Sequence, residues 1–245
     1  MTGTIELEVA VPGTREQVWP AISTGPGIGA WFVPTEVEGD AITLHFGPGV
    51  DEPGRITASE PPHRFTYGAD QGGLTFDWRV RDAGDGTCVV RLVNGGFGSD
   101  SEQRGMEAGW RLFLENLRLY LTHFRGQPCR SILVTGVAPG PREAAWRVYA
   151  EALGVPAEAE RGTDVATTGD GVPPLAGTVE RASPGMLTLL AREPAPGVVL
   201  AAAEGEGDTV YLSLFAYLYG EGAAAADVAE PAWRAWMQER FPHEP

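Results

Sequence analysis

The chain repeats itself, and the repeat constrains its architecture more than any other feature. Pro12-Gly13-Thr14-Arg15-Glu16, followed by Val18-Trp19, returns as Pro139-Gly140-Pro141-Arg142-Glu143, followed by Ala145-Trp146, an offset of 127 residues. Later landmarks keep the same order, with Gly54 answering to Gly177, Pro61 to Pro184, Thr87 to Thr209 and Trp110 to Trp233 at offsets of 122 or 123. Fixed order at nearly constant spacing predicts a tandem duplication whose unit is a supersecondary plan of about 120 residues. The 245 residues are therefore expected to form two domains, 1–128 and 129–245. Between them, Gly126 is suited to end a helix in the left-handed conformation, and Pro128 cannot continue one.

In the first copy Ile5, Leu7, Val9 and Val11 alternate with polar or small residues, the pattern of a half-buried strand. Thr14, with Gln17 three residues on, predicts a capping box at the start of a helix, and Pro20 predicts that this helix is cut short. The expected break spans Ser23 to Gly29, with Gly25-Pro26-Gly27-Ile28-Gly29 as a flexible rim and a restart at Ala30-Trp31-Phe32. Short alternating runs then follow: Ile42/Leu44/Phe46, Gly54 to Ala58, Phe65/Tyr67, Leu74/Phe76/Trp78/Val80 and Cys88/Val90/Leu92/Asn94. They predict an antiparallel meander whose turns fall at Gly39-Asp40, Asp70 to Gly73 and Gly84-Asp85-Gly86. Its polar face carries Thr75, Asp77, Arg79, Arg81 and Arg91, and Asp77 with Arg79 and Arg91 reads as a solvated cross-strand ion pair.

The final element of this copy is the plainest. Ser99 and Glu102 form a second capping signature, and Met106, Trp110, Phe113, Leu114, Leu117, Leu121 and Phe124 recur at spacings of three and four. At about 1.5 Å per residue such a helix spans ~38 Å and must lie across a whole sheet. The second copy is expected to be a degenerate version with strands near 176–182, 186–191, 197–203 and 209–218. It has no aromatic pair answering to Trp31-Phe32, its last helix is shorter, and its cavity is expected to be small or closed.

Composition removes several chemistries. All 18 basic residues are arginine, so a phosphate-binding P-loop and lysine Schiff-base chemistry have no amine to use. A formal charge of −15, spread evenly over both halves, opposes nucleic acid and anionic membrane surfaces. Cys88 and Cys129 are too few for a disulfide framework or a cysteine metal site, which fits a reducing cytoplasm. The N-terminus lacks a basic region followed by an apolar one, and Val198 to Ala203 is far short of the ~18 to 20 apolar residues of a membrane span, so a cytoplasmic location is expected. His45, His63, His123 and His243 are scattered without the i, i+4 spacing of a zinc helix, no Gly-x-Ser-x-Gly elbow occurs, and no dinucleotide loop follows a strand into a long helix. No metal and no cofactor are expected.

A strand, two short helices, an antiparallel meander and one long amphipathic helix is the element order of an α+β helix-grip domain, in which the sheet wraps the last helix. Residues 5–125 resemble the START-like (SRPBCC) superfamily, in the branch named for activators of heat-shock-protein ATPase. The resemblance rests on Val18-Trp19-x-Ala21-Ile22, Trp31-Phe32, Glu60-Pro61-Pro62-x-Arg64-x-x-Tyr67, Gly86-Thr87 leading to Gly95-Gly96-Phe97, and Gly109-Trp110 leading to Leu117-x-x-Tyr120-Leu121. It implies two tandem helix-grip domains and, in the first, a cavity for an apolar or aromatic small molecule. The expected lining is Trp31, Phe32, Phe46, Tyr67, Phe76, Trp78, Asn94, Phe97, Trp110, Phe113, Leu114 and Leu117, with Tyr67 and Asn94 as polar handles. The same aromatic residues, taken singly, also read as ordinary core, and Tyr67 and Asn94 as groups that satisfy the backbone. Binding ranks ahead of two alternatives, a polyketide cyclase or dehydratase-like enzyme and a chaperone-associated interaction protein with an unidentified partner.

Overall fold

The computed structural model describes residues 3–47, 49–69, 73–205 and 207–243. The chain divides into two compact units, Met1–Gly126 and Gln127–Pro245. Both are α+β helix-grip domains.

The first contains β1 (Thr4–Pro12), α1 (Arg15–Ser23), α2 (Gly25–Gly29), β2 (Thr35–Glu38), β3 (Ala41–Gly47), β4 (Val50–Glu60), β5 (Arg64–Ala69), β6 (Thr75–Gly84), β7 (Thr87–Gly95) and α3 (Asp100–His123). Its strands form one antiparallel sheet in the order β1-β7-β6-β5-β4-β3-β2. Alternation decides which face is buried, since Ile5, Leu7 and Val11 of β1 and Cys88, Val90, Leu92 and Asn94 of β7 all point inward. The β6–β7 turn uses left-handed backbone at Gly84, Asp85 and Gly86. Of the expected turn at Asp70 to Gly73, residues 70–72 lie outside the described residues.

Helix α3 starts where its capping residues place it. The Ser99 hydroxyl accepts a bond from the Glu102 amide at 3.2 Å, and Glu102 in turn accepts one from the Gly98 amide at 2.9 Å. Asp100 and Glu102 in the first turn and His123 in the last suit the helix dipole.

Helix α1 is short and ends at Ser23, where the break was expected, with Pro20 at its sixth position removing a single intrahelical bond. The capping box of Thr14 and Gln17 secures the start of α1. At its end the amide and the hydroxyl of Thr24 both donate to the Pro20 carbonyl, at 3.2 and 2.8 Å. The stretch beyond it departs from expectation, because Gly25–Gly29 is a helical turn with Gly25, Gly27 and Ile28 buried and not a break. Thr24 caps it by accepting from the Gly27 amide at 3.1 Å, and the amides of Trp31 and Phe32 then donate to the Ile28 carbonyl at 3.2 and 2.9 Å.

The polar face of the sheet is a ladder of ion pairs. Asp77 receives Arg64 Nε at 3.0 Å and Arg79 Nη2 at 2.9 Å, whereas Arg91, expected beside Asp77, pairs with Glu6 at 2.6 Å. Arg64 on β5 and Arg91 on β7 both lie opposite Arg79 and are placed alike about Asp77, but Arg91 also borders β1, where Glu6 takes it. Partial burial alone would raise the Asp77 carboxyl, but the hydrogen bonds from Arg79 and Arg64 outweigh it and hold the group below its usual range. A depressed folded-state value gives stability that is present above the ordinary carboxylate pKa and lost as pH falls through the folded one. Asp77→Asn is thus expected to cost ~1 kcal/mol at pH 7. The gap to wild type should close below about pH 4, as urea midpoints at pH 7 and pH 3 would show.

The second domain repeats this plan with parts missing. It contains β8 (Cys129–Pro139), α4 (Arg142–Leu153), β9 (Asp164–Ala166), β10 (Ala176–Ser183), β11 (Met186–Glu193), β12 (Gly197–Glu204), β13 (Thr209–Tyr219), a 3-10 turn (Gly220–Ala225) and α5 (Ala226–Arg240). The sheet order β8-β13-β12-β11-β10-β9 is that of the first sheet less its last strand, and α2 has no counterpart. Each repeat landmark occupies an equivalent place. Gly54 and Gly177 lie in β4 and β10, where an added Cβ would come within 2.8 Å of the Gly68 carbonyl and 2.6 Å of the Leu190 carbonyl on the neighbouring strands. Thr87 and Thr209 open β7 and β13, and Trp110 and Trp233 sit on the terminal helices.

Among the described residues no helix is long and apolar enough to cross a membrane, and no cluster of three or more metal-ligating side chains occurs. Burial raises the thiols of Cys88 and Cys129, the latter to about 12, so both stay protonated at neutral pH.

Candidate functional site

The inner face of the first sheet and the inner face of α3 enclose a continuous group of aromatic rings. On the sheet, register aligns Tyr67 of β5, Phe76 of β6 and Asn94 of β7 in one row and Phe65, Trp78 and Leu92 in the next. Tyr67 and Phe76 stack with centroids 4.8 Å apart. On the helix, Trp110 meets Phe76 at 5.8 Å and Trp78 at 5.5 Å, both edge to face. The turn after α2 supplies the third wall: Trp31 stands edge-on to Trp78 at 5.6 Å, and Phe32 approaches Trp110 and Phe113 at 4.8 Å each. Phe46 closes on Phe32 at 5.8 Å. These centroid spacings are those of rings in direct contact.

Exposure grades across the cluster. Trp31, Tyr67, Phe76, Trp78, Phe97, Trp110, Leu114 and Leu117 are buried, as is Phe32, whereas Phe46 and Phe113 are half-buried. The cluster therefore reaches the surface at Phe46 on β3 and Phe113 on α3. Of the twelve residues expected from the sequence, nine lie on this face or on the helix against it, Trp31 and Phe32 lie in the turn after α2, and Phe97 follows β7 in the turn to α3.

The polar groups of the cluster are mostly committed to one another. The Trp31 indole donates to the Ala21 carbonyl at 2.7 Å, and the Trp110 indole donates to Asn94 Oδ1 at 3.0 Å. Asn94 Nδ2 donates to the Thr75 carbonyl at 2.9 Å, so both ends of this fully buried amide are used inside the fold. Burial drives the Tyr67 hydroxyl far above its ordinary pKa, against the opposing effect of a hydrogen bond from Trp78, and the phenol stays protonated. The sequence reading missed Asn116, one turn after Phe113 on α3, which is wholly buried and donates through Nδ2 to the Trp31 carbonyl at 2.7 Å. Its signal was present as an amide inside an otherwise apolar flank, between Phe113 and Tyr120.

Residues 12–122 match the family model described as Activator of Hsp90 ATPase homolog 1-like protein. The first domain belongs to this family.

As an Aha1-like domain it is part of the SRPBCC superfamily. The Aha1 dimer from Colwellia psychrerythraea is 16% identical, with 51% of this chain and 99% of that one covered at a TM-score of 0.44. DynU16, a putative protein in the dynemicin biosynthetic locus, is 17% identical over 96% of this chain and 95% of its own, also at 0.44. The di-domain ARO/CYC BexL from the BE-7585A biosynthetic pathway is 11% identical over 99% and 100% of the two chains, again at 0.44. No curated protein matches the chain.

The second domain has a different group of rings, with no adjacent Trp-Phe pair among its described residues. Its core is filled by Trp146, Tyr149, Trp233, Trp236, Met237 and Phe241. Tyr149 meets Phe241 at 5.5 Å, and Trp236 meets Trp233 at 5.6 Å. A recess of about 330 Å³ lies outside that core, between α4 and the β10–β11 turn, lined by Glu143, Trp146, Arg147 and Ser183 among others.

Proposed function

We propose that the Aha1-like domain binds an apolar or aromatic small molecule between its sheet and α3, and that the second domain serves as a non-binding companion. The observation that carries this reading is the cluster of mutually contacting rings that opens to solvent at Phe46 and Phe113. Flat rings in edge-to-face contact can part and restack around another flat molecule with little loss of contact, which interlocked branched side chains cannot do.

A cyclase or dehydratase, the class suggested by the name of the di-domain neighbour, needs an acid–base pair beside its substrate. The polar groups at the rings are amides, indoles and a phenol held protonated, so binding without turnover is the better-supported reading. A chaperone-associated role, suggested by the family's name, would act through the outer surface and would leave the rings as plain core.

The test uses the whole protein and N-phenyl-1-naphthylamine, a neutral probe whose fluorescence rises in apolar surroundings. The expected result is saturable binding, quenching of tryptophan emission and, at probe concentrations about 100 times Kd, stabilisation of ~2.7 kcal/mol. Absence of saturable binding and of any thermal shift, for this probe and for a panel of neutral polycyclic compounds, would overturn the proposal. Stoichiometric capture of a chaperone by a protein that binds none of them would favour the surface role.

A further inference from the structure

Asn116 carries a polar atom with no partner. Its side chain is wholly buried, its Nδ2 is anchored on the Trp31 carbonyl at 2.7 Å, and its Oδ1 meets no donor. Anchoring one end of the amide fixes where the other end points. Because Asn116 follows Phe113 by one helical turn and is bonded to the residue preceding Phe32, the oxygen sits at the wall where α3 meets the Trp31-Phe32 turn.

A buried amide oxygen without a donor is destabilising and rare in folded proteins. No donor among the described residues meets it, and the polar groups of the ring cluster are bonded elsewhere, the Trp31 indole to Ala21, the Trp110 indole to Asn94 and the Asn94 amide to Thr75.

Resting on the ligand-binding reading above, we infer that Asn116 Oδ1 selects the ligand, accepting a hydrogen bond from a hydroxyl or N–H group carried by an otherwise apolar ring system. The occupant is then a phenol or hydroxylated polycycle and not a plain hydrocarbon. A carboxylate is disfavoured, because a carbonyl oxygen repels it. Matching this one acceptor gives selectivity that apolar contact alone cannot, since a site that offers a buried hydrogen-bonding group penalises any occupant unable to pair with it.

The test compares naphthalene, 2-naphthol and 2-methoxynaphthalene on the full chain by competition with N-phenyl-1-naphthylamine. Wild type is expected to prefer 2-naphthol to 2-methoxynaphthalene about tenfold, because the ether keeps the ring system and the oxygen but has no donor. Asn116→Leu, close in size and without the acceptor, should lose that preference. If the three compounds bind with equal affinity, or if the preference survives in Asn116→Leu, the oxygen is served by water alone and the inference falls while the binding reading stands. If none of the three competes and the probe itself does not bind, both fall together. The wild-type comparison of 2-naphthol with its ether decides the matter even if the leucine variant fails to fold.

Discussion

Trp110→Ala is expected to destabilise the Aha1-like domain by about 4–5 kcal/mol, the largest effect of any single truncation in it. Trp110 is 2% exposed and is the ring that joins the walls of the cluster, meeting Phe32 at 4.8 Å, Trp78 at 5.5 Å, Phe76 at 5.8 Å and Phe113 at 6.3 Å. Truncation opens a cavity that rigid β-strands on one side cannot close, and a buried Trp→Ala change of this kind typically costs ~3–5 kcal/mol. It also leaves Asn94 Oδ1 without its donor. Trp110→Phe keeps one of the two fused rings while removing the other together with the indole N–H, and is expected to cost less, ~1–2 kcal/mol. Urea unfolding followed by far-UV circular dichroism measures both. A loss under ~1 kcal/mol for the alanine variant would mean that the cluster is loosely packed and that Trp110 does not hold it together.

The same residue shows why much of the fold was legible in the sequence. Helical spacing from Met106 to Phe124, strand alternation in β1, β6 and β7, and glycines at the tight turns each carry their own periodicity, so local chemistry and overall architecture agree. The repeat was legible for a related reason. Its surviving landmarks are residues that a given backbone position demands, such as Gly54 and Gly177 beneath a neighbouring carbonyl. Strand β8 was harder to see, because Gly136 interrupts its apolar alternation of Ile132, Val134 and Ala138. At that glycine a Cβ would fall 2.5 Å from the Phe241 carbonyl, a contact made by residues more than a hundred positions away.

The candidate site was legible as composition but not as chemistry. Inward-facing aromatic residues follow from period, yet the partner of each polar group depends on register and on how helix and turn meet. Asn94 read either as a handle or as a group that satisfies the backbone, and the carbonyl of Thr75 takes one end of it while the indole of Trp110 takes the other. Asn116 looked like one more residue on a helix flank and proved to hold the unpaired oxygen. Periodicity places a side chain on a face. It does not say which of its atoms are already bonded.

The segment joining α1 to the ring cluster gives the second large prediction. Gly27→Ala is expected to cost about 2–4 kcal/mol, at or beyond the usual range for overpacking. An added Cβ would lie 1.9 Å from the Pro20 carbonyl oxygen and 2.7 Å from Thr24 Oγ1, and the first of these is backbone that cannot rotate away. Relief requires α1 and α2 to separate, which breaks the Thr24 cap and moves the Ile28 carbonyl from which the amides of Trp31 and Phe32 hang. The near-UV circular dichroism of the tryptophans should therefore weaken along with stability. Gly29→Ala in the same helix is the control. Its Cβ would make an ordinary contact of 3.6 Å with Pro34, so its effect should stay within ~0.5 kcal/mol or be slightly stabilising. Equal and small effects at both positions would mean that α2 moves freely and that the Trp31-Phe32 wall is not held in place by its close approach to α1. A large effect at Gly27 alone would make the glycine-rich run the rigid mount of that wall, fixed by contacts too close for any side chain.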